Sequence, residues 1–331
     1  MLASVPYGWA VRLRNFLYDM SLLPTRTLPA PAVCIGNLTA GGTGKTPAVA
    51  WVAGHFRRRG VPVAVLRRGY RRGRSEGPAE ESRWLSERLA AGVEVIEDPD
   101  RVAAGRRAVE HGAEVLVLDD GFQHRRARRD LDVVLVDAAD PFGGGRLLPW
   151  GLLREPEQGI RRAGVIVLTR TDHVSPAECA ELEARLRALH PDAPLVRAVH
   201  APRRLMDGAR GEALDLKQLV GCRLRAFAGL ARPEAFFRTL EDLGADVVQR
   251  LACPDHHDYT SDEVAGLLRV PGPPWITTEK DWVKIRDLGP VAGLWVLGVD
   301  FEVLSGDEAL RRALDGILTA RAEPPAGRVS D

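Results

Sequence analysis

Gly36-Asn37-Leu38-Thr39-Ala40-Gly41-Gly42-Thr43-Gly44-Lys45-Thr46-Pro47 is the stretch on which the reading of the fold turns. A β-prone apolar run, Ala32-Val33-Cys34-Ile35, leads into it. A helical pattern from near Thr46 to about Arg59 leads out. Glycine reaches backbone conformations that other residues resist, so a Gly-rich turn can aim several consecutive N–H groups at one anion. The helix that follows adds its positive N-terminal end. In such a loop Gly41, Gly42, Thr43 and Gly44 cradle phosphates, Lys45 reaches the outer ones and Thr46 offers its hydroxyl to Mg²⁺. Pro47 suits a first helical turn, where its missing N–H costs nothing. The strict pattern has glycine first, and this chain has Thr39 there. An ordinary Gly-rich turn would account for the glycines alone. The order strand, loop, helix is what a phosphate-binding loop requires.

Working outward, Val61 to Leu66 reads as a second strand. It ends in the basic segment Arg67-Arg68-Gly69-Tyr70-Arg71-Arg72-Gly73-Arg74. Open α/β sheets place ligands at such carboxyl ends, so this segment either holds a substrate phosphate or is a solvated loop. Residues 80–91 look helical and carry Glu80, Glu81 and Glu87, and Val93 to Ile96 is a short strand before another helix that runs to His111. Val115-Leu116-Val117-Leu118-Asp119-Asp120-Gly121 is a continuous apolar run of the kind buried on both sheet faces. Its two terminal carboxylates, Asp119 and Asp120, match the Mg²⁺-organising acid of phosphate-loop proteins. Leu131 to Val136 is a further strand. The irregular Gly143 to Pro156 segment offers Arg154 and Glu155 as site residues. Val165 to Thr169 is another strand, closing in Thr169-Arg170-Thr171-Asp172, a loose echo of a GTPase base-reading motif with two signature positions changed.

A helix over 175–190 and a polar, irregular stretch around 200–220 precede a second alternating unit. Its strands fall at Leu224 to Gly229, Asp246 to Leu251, Trp275 to Thr278 and Gly293 to Val299. Its helices fall at 233–243, at 260–268 with Thr260 or Ser261 as cap, and after Thr278. Strand–helix alternation implies a mostly parallel sheet. The expected fold is α/β: a P-loop NTPase core, a smaller C-terminal α/β domain and an N-terminal amphipathic helix. The expected division is 1–30 for helix and linker, 31–205 for the core, 206–320 for the second domain and 321–331 for a mobile tail. Pro254-Asp255-His256-His257-Asp258-Tyr259 lies in a turn after a strand. It reads as an acid–base element, a helix cap with ordinary histidines or, least well supported, a metal site.

Composition narrows the class. A 45% hydrophobic and 27% charged chain is an ordinary globular one, and a net charge of +1 exerts no general pull on nucleic acid. The four cysteines form no CxxC pair, which speaks against zinc and against a disulfide framework and fits a reducing cytoplasm. All but four of the 46 basic residues are arginine; the lysines are Lys45, Lys217, Lys280 and Lys284. A lysine kept against that bias suggests a need for a compact ammonium. That singles out Lys45; Lys280 is either functional or a surface ion pair with Asp281 or Glu279. Residues 5–22 read as an amphipathic helix with Trp9, Leu13, Phe16, Leu17 and Met20 on one face. Periodicity leaves open whether that face packs on the core or lies in a membrane interface.

These motifs occur in an order that resembles the tetraacyldisaccharide 4′-kinases of lipid A biosynthesis over nearly the whole chain. They are Arg14-Asn15, Leu17-Tyr18-Asp19, the loop in Gly36–Pro47, Arg68-Gly69-Tyr70, Asp119-Asp120-Gly121-Phe122-Gln123-His124, Gly145-Arg146-Leu147-Leu148-Pro149, Leu153-Arg154-Glu155-Pro156, Phe227-Ala228-Gly229-Leu230-Ala231-Arg232-Pro233, Asp255-His256-His257 and Thr278-Glu279-Lys280-Asp281. The resemblance implies transfer of the ATP γ-phosphate to the 4′-hydroxyl of a tetraacyl glucosamine disaccharide 1-phosphate, giving lipid IVA. It implies ATP and Mg²⁺ as cofactors, a lipid disaccharide substrate and work at the cytoplasmic face of the inner membrane, without nucleic acid and as a monomer. It also favours the interface for residues 5–22. An Asp–His pair is implicated in activating the acceptor in that family. The histidine corresponds to His256, and the aspartate's Gly-Asp-Glu-Pro motif corresponds to Ala79-Glu80-Glu81-Ser82, so Glu80 stands in the position of the base one methylene longer, with Glu81, or His256 acting alone, as the alternatives.

The expected mechanism has the loop amides and Lys45 on the β- and γ-phosphates, and Thr46 with Asp119 or Asp120 on Mg²⁺. Glu80 with His256 acts on the acceptor proton, and Arg154 offsets charge in the transition state. With His256 and the loop in different units, the site is expected to span a cleft. The competing reading is a P-loop GTPase acting in metal or cofactor insertion, motivated by Thr169–Asp172 and the paired histidines.

Overall fold

The computed structural model of the chain describes residues 4–69, 80–89 and 92–319, with Ser4 and Glu80 as backbone only. Most of the basic segment from Tyr70 to Arg74, the Glu80 carboxylate and the tail from residue 321 therefore lie outside the described residues. In chain order the elements begin with α1 (Ser4–Asp19), β1 (Arg26–Thr27), β2 (Ala32–Asn37), α2 (Lys45–Arg58), β3 (Val63–Arg67), α3 (Glu80–Leu89), β4 (Val93–Glu97) and α4 (Arg101–Glu110). Then come β5 (Val115–Asp119), β6 (Ala127–Arg128), β7 (Leu131–Asp137), β8 (Val165–Thr169), α5 (Pro176–Leu189), β9 (Leu195–Asp207) and β10 (Ala213–Leu214). The rest are β11 (Arg223–Ala228), α6 (Pro233–Asp242), β12 (Asp246–Ala252), α7 (Ser261–Arg269), β13 (Trp275–Thr278), α8 (Glu279–Ile285), β14 (Leu294–Ser305) and α9 (Asp307–Thr319).

The chain divides into two compact units. The first holds residues 1–77, 88–199 and 301–331, and the second 78–87 and 200–300. In the first, the strands lie in the order β9-β8-β7-β2-β5-β3-β4, paired in parallel throughout. β2, β5 and β8 are buried at every position, as their unbroken apolar sequences require of strands covered on both faces. Leu28, Leu116, Leu118 and Phe122 pack in one core around them. In the second unit β12-β11-β13-β14 are again parallel, and Phe237, Leu240, Ala226 and Ile276 form its core.

Helix starts follow local chemistry. Ser175 and Thr260 each accept a hydrogen bond from the backbone three residues on, while Glu178 and Glu263 return one, a reciprocal cap that opens α5 and α7. Where an irregular join was expected, β9 instead runs for 13 residues; half-exposed positions interrupt its burial, so no alternation shows in the sequence. Residues 301–319 pack with the first unit and 80–87 with the second, a division different from the contiguous one expected. Helix α9 was not anticipated. It buries Leu310, Leu314 and Ile317 on one face and lays Asp315 against α2, 2.9 Å from His55 Nε2 and 2.7 Å from Arg59 Nη1.

Candidate active site

The loop leaves β2 through a close approach. A Cβ on Gly36 would stand 2.5 Å from the Cβ of Phe122, so only glycine fits. Gly41 (φ 115°) and Gly44 (φ 77°) carry the left-handed turns. Thr39 does not adopt a positive φ, which removes the conformational demand for glycine at the loop's first position. Instead Thr39 is buried, and its carbonyl and hydroxyl oxygens accept from Asn37 Nδ2 at 2.8 and 3.2 Å. Helix α2 starts at Lys45 with Gly44 as cap, and no side chain caps it. The first-turn N–H groups of a helix are orphaned donors, the usual arrangement for an anion site.

Lys45 is aimed by two partners. Its Nζ donates to Asn37 Oδ1 at 3.1 Å and lies 3.3 Å from Asp120 Oδ1. Asp120, at φ 55°, is also held by Arg154, whose Nη1 donates to both carboxylate oxygens at 2.9 Å. Burial opposes the Asp120 charge, but Lys45 and Arg154 outweigh it and hold its carboxyl below the usual range. Asp119 is buried and pairs with Arg67 Nε at 2.8 Å. Lys45, Asp120 and Arg154 thus form one charge network in the first unit, while Asp119, next in sequence to Asp120, pairs with Arg67 instead. Thr46 follows Lys45 in the first turn of α2 and is half-buried.

Glu155 has a different place. It is fully buried and accepts from Asn15 Nδ2 (3.0 Å), Gln123 Nε2 (3.0 Å) and Arg162 Nη2 (2.9 Å). Gln123 Nε2 also donates to the carbonyl of Asn37 at 2.8 Å. Glu155 therefore acts as a hub tying α1, the segment after β5 and the loop together. Asn37 and Gln123 were quoted in the motifs without a role; the only signal was their position beside the loop lysine and the paired aspartates. Thr169 and Arg170 brace the loop from another side. Thr169 Oγ1 donates to Thr43 O at 3.2 Å, and Arg170 Nη2 donates to Gly42 O at 2.9 Å while its Nη1 pairs with Asp137.

Helix α1 turns Gly8 and Val11 inward and leaves Trp9, Leu13, Phe16 and Met20 exposed, Trp9 at 69%. Leu17, expected on the same face, is half-buried. Tyr7 donates its hydroxyl to the Arg154 carbonyl at 2.7 Å. A cleft of about 470 Å³ opens beside α1, lined by Trp9, Arg12, Arg146, Leu147 and Trp150 among others. Among the described residues no helix is long and apolar enough to cross a membrane.

In the second unit His256 occupies the left-handed region (φ 58°), which histidine tolerates better than most side chains, and its Nε2 lies 3.8 Å from Asp255 Oδ2. The turn that carries it is held from α8. Lys284 Nζ donates to His257 O at 2.9 Å, and burial pulls the Lys284 ammonium down to about 8. Asp281, fully buried, accepts from Gly229 N, Tyr259 OH and Thr278 Oγ1. Burial raises its pKa against those donors. Gly229 is a glycine because a Cβ there would lie 2.8 Å from Asp281 Oδ1. Lys280 pairs with Glu81 Oε1 at 2.9 Å, and its charge also acts to lower the pKa of its neighbour Asp281. Among the described residues no group of three or more His, Cys, Asp or Glu side chains could hold a metal ion.

The chain matches the family model described as tetraacyldisaccharide-1-P 4′-kinase over residues 1–319. It is similar to the tetraacyldisaccharide 4′-kinases of Anaeromyxobacter sp. (strain K), 45% identical with 99% of this chain and 93% of the relative covered, and of Anaeromyxobacter dehalogenans (strain 2CP-C), 46% identical with 95% and 89% covered. Among solved structures it is similar to the "apo" form of LpxK from Aquifex aeolicus in complex with ATP, with a TM-score of 0.72 and 28% identity over 95% of this chain and 97% of that one.

Proposed function

The chain belongs to the tetraacyldisaccharide 4′-kinase family, and from that premise we propose how its side chains divide the work. The reaction is ATP-dependent phosphorylation of the 4′-hydroxyl of tetraacyldisaccharide 1-phosphate, giving lipid IVA in lipid A biosynthesis. The observation that carries the assignment of roles is the double bracing of Lys45 by Asn37 and Asp120 at the mouth of an uncapped helix. Phosphoryl transfer asks mainly for placement and charge stabilisation. The loop amides and Lys45 bind and orient the outer phosphates of ATP. Arg154 sits on the carboxylate that faces Lys45, so it can trade Asp120 for the growing charge on the transferred group.

Thr46, Asp119 and Asp120 supply a hydroxyl and two carboxylates, the hard oxygen donors that suit Mg²⁺. Mg²⁺ typically takes one or two carboxylates plus substrate phosphates rather than an all-protein cage. When bound there it would neutralise charge on the phosphates. Glu80 as base acts with His256 on the acceptor hydroxyl; the left-handed His256, held in a turn anchored by Lys284, supports a positioned rather than a casual histidine.

The exposed stripe Trp9, Leu13, Phe16 and Met20 supports attachment of α1 to the cytoplasmic face of the inner membrane, with the adjacent cleft taking part of the acylated substrate. The GTPase reading loses its ground: its base-reading echo at Thr169–Asp172 is engaged in bracing the loop. The test is incubation of the protein with labelled ATP, Mg²⁺ and the lipid disaccharide, with Glu80→Gln and His256→Ala beside the wild type. Both variants should bind ATP normally and lose turnover; full turnover in either removes that residue from the mechanism.

A further inference from the structure

Helix α8 is only seven residues long, yet two separate parts of the second unit hang on it. On one side it holds α3. Lys280 Nζ meets Glu81 Oε1 at 2.9 Å, and Glu279 Oε2 accepts from Trp84 Nε1 at 3.3 Å. Just beyond the helix, Asp287 accepts from Arg83 at 2.7 Å and Arg286 donates to Glu87 at 2.8 Å. On the other side, Asp281 holds Gly229 and Tyr259 while Lys284 holds the carbonyl of His257. Glu80, the first residue of α3, is thus one peptide away from a clamp whose other arm fixes the turn bearing His256.

Resting on the reading of Glu80 and His256 as the acceptor-activating groups, we infer that Lys280 is a positioning residue that sets the Glu80 end of α3 through its ion pair with Glu81. Both acidic sequence neighbours of Lys280 also have other hydrogen-bond donors. Glu279 is taken by Arg204 at 2.8 Å and by Trp84, and Asp281 by three donors of its own. Lys280 and Glu81 are each only about one-fifth exposed, so the pair is shielded where it meets. A displacement of about 1 Å in a phosphoryl-transfer site costs on the order of 100-fold in rate, so the clamp need move Glu80 only slightly to matter.

The test uses the full chain with labelled ATP, Mg²⁺ and the lipid disaccharide in detergent micelles. Lys280→Met should lower kcat about 10- to 100-fold with the ATP KM and the thermal midpoint unchanged. Lys280→Arg should restore most of the loss. The exchange Lys280→Glu with Glu81→Lys should be more active than either single variant. An undiminished kcat in Lys280→Met overturns the inference, as does a loss shared with ATP binding, or a loss that tracks a lowered midpoint and is not rescued by arginine. Glu80→Gln is measured alongside. If it is inactive while Lys280→Met is not, the inference alone falls. If it is fully active, the base assignment falls and the positioning of Glu80 falls with it.

Discussion

Asn15 Nδ2 lies 3.0 Å from Glu155 Oε2, joining the exposed amphipathic helix to the most deeply buried carboxylate of the nucleotide-binding unit. From Glu155 the chain of hydrogen bonds runs through Gln123 to the backbone of Asn37, whose side chain accepts from Lys45. Asn15→Ala should leave one Glu155 oxygen short of a donor and cost about 1–3 kcal/mol of stability. Asn15→Asp should cost more, because it sets two carboxylates about 3 Å apart. Thermal unfolding with and without ATP reads both; an Asp variant as stable as the wild type would break the chain at its first link.

Asp120 owes its low pKa to Lys45 and Arg154 overcoming burial. A carboxylate depressed in the folded state contributes stability above its unfolded pKa and loses it as pH falls through the folded one. Removing Arg154 takes away one of two cations, so the Asp120 pKa rises. In Arg154→Ala the acid limb of kcat/KM should therefore move to higher pH. The plateau should fall by about 10²- to 10³-fold, the usual loss for one charge-stabilising donor. A plateau loss with an unmoved acid limb would mean that Asp120 is not the group that titrates.

Gly36→Ala inserts a methyl 2.5 Å from the Phe122 Cβ, between a strand and a fully buried ring. Overpacking of this kind costs about 1–3 kcal/mol. The phosphate-binding loop follows directly, so ATP affinity should fall together with the thermal midpoint. Calorimetry that finds wild-type affinity in a folded variant would show that the loop tolerates movement of its leading strand.

Trp9→Ser and Phe16→Ser remove large apolar groups that are 69% and 55% exposed and touch no core. Stability in solution should hardly change. Sedimentation with anionic vesicles should show each variant bound about tenfold or more weakly, given about 1.5–3 kcal/mol for burying one such side chain. Equal binding would move the membrane contact elsewhere on the molecule.

What could be read from the chain alone was what depends on neighbours in sequence. β2, β5 and β8 are buried on both faces and so are apolar without interruption. The start of α7 is written in Thr260 and Glu263. Helix α9 was equally legible in Leu310, Leu314 and Ile317 and was passed over. The site was half legible. Lys45, Asp120 and Arg154 do meet, but that Glu155 is a buried hub could not be read, because its partners Asn15 and Gln123 lie 140 and 32 residues away. For Lys280 the sequence leaves open a functional role or an ion pair with Asp281 or Glu279, and its pairing with Glu81, far earlier in the chain, could not be read from its neighbours.

Asp315 of α9 reaches His55 and Arg59 on the helix that carries the loop lysine. In a chain made from its N-terminus, that lysine's helix leaves the ribosome some 260 residues before its partner does. The nucleotide-binding unit is therefore begun before the intervening unit and completed only after it. The intervening unit, most of it one continuous stretch, can fold in the meantime. Nascent chains halted before α9 emerges should carry every loop residue and still hold ATP poorly, because Asp315 has yet to reach His55 and Arg59.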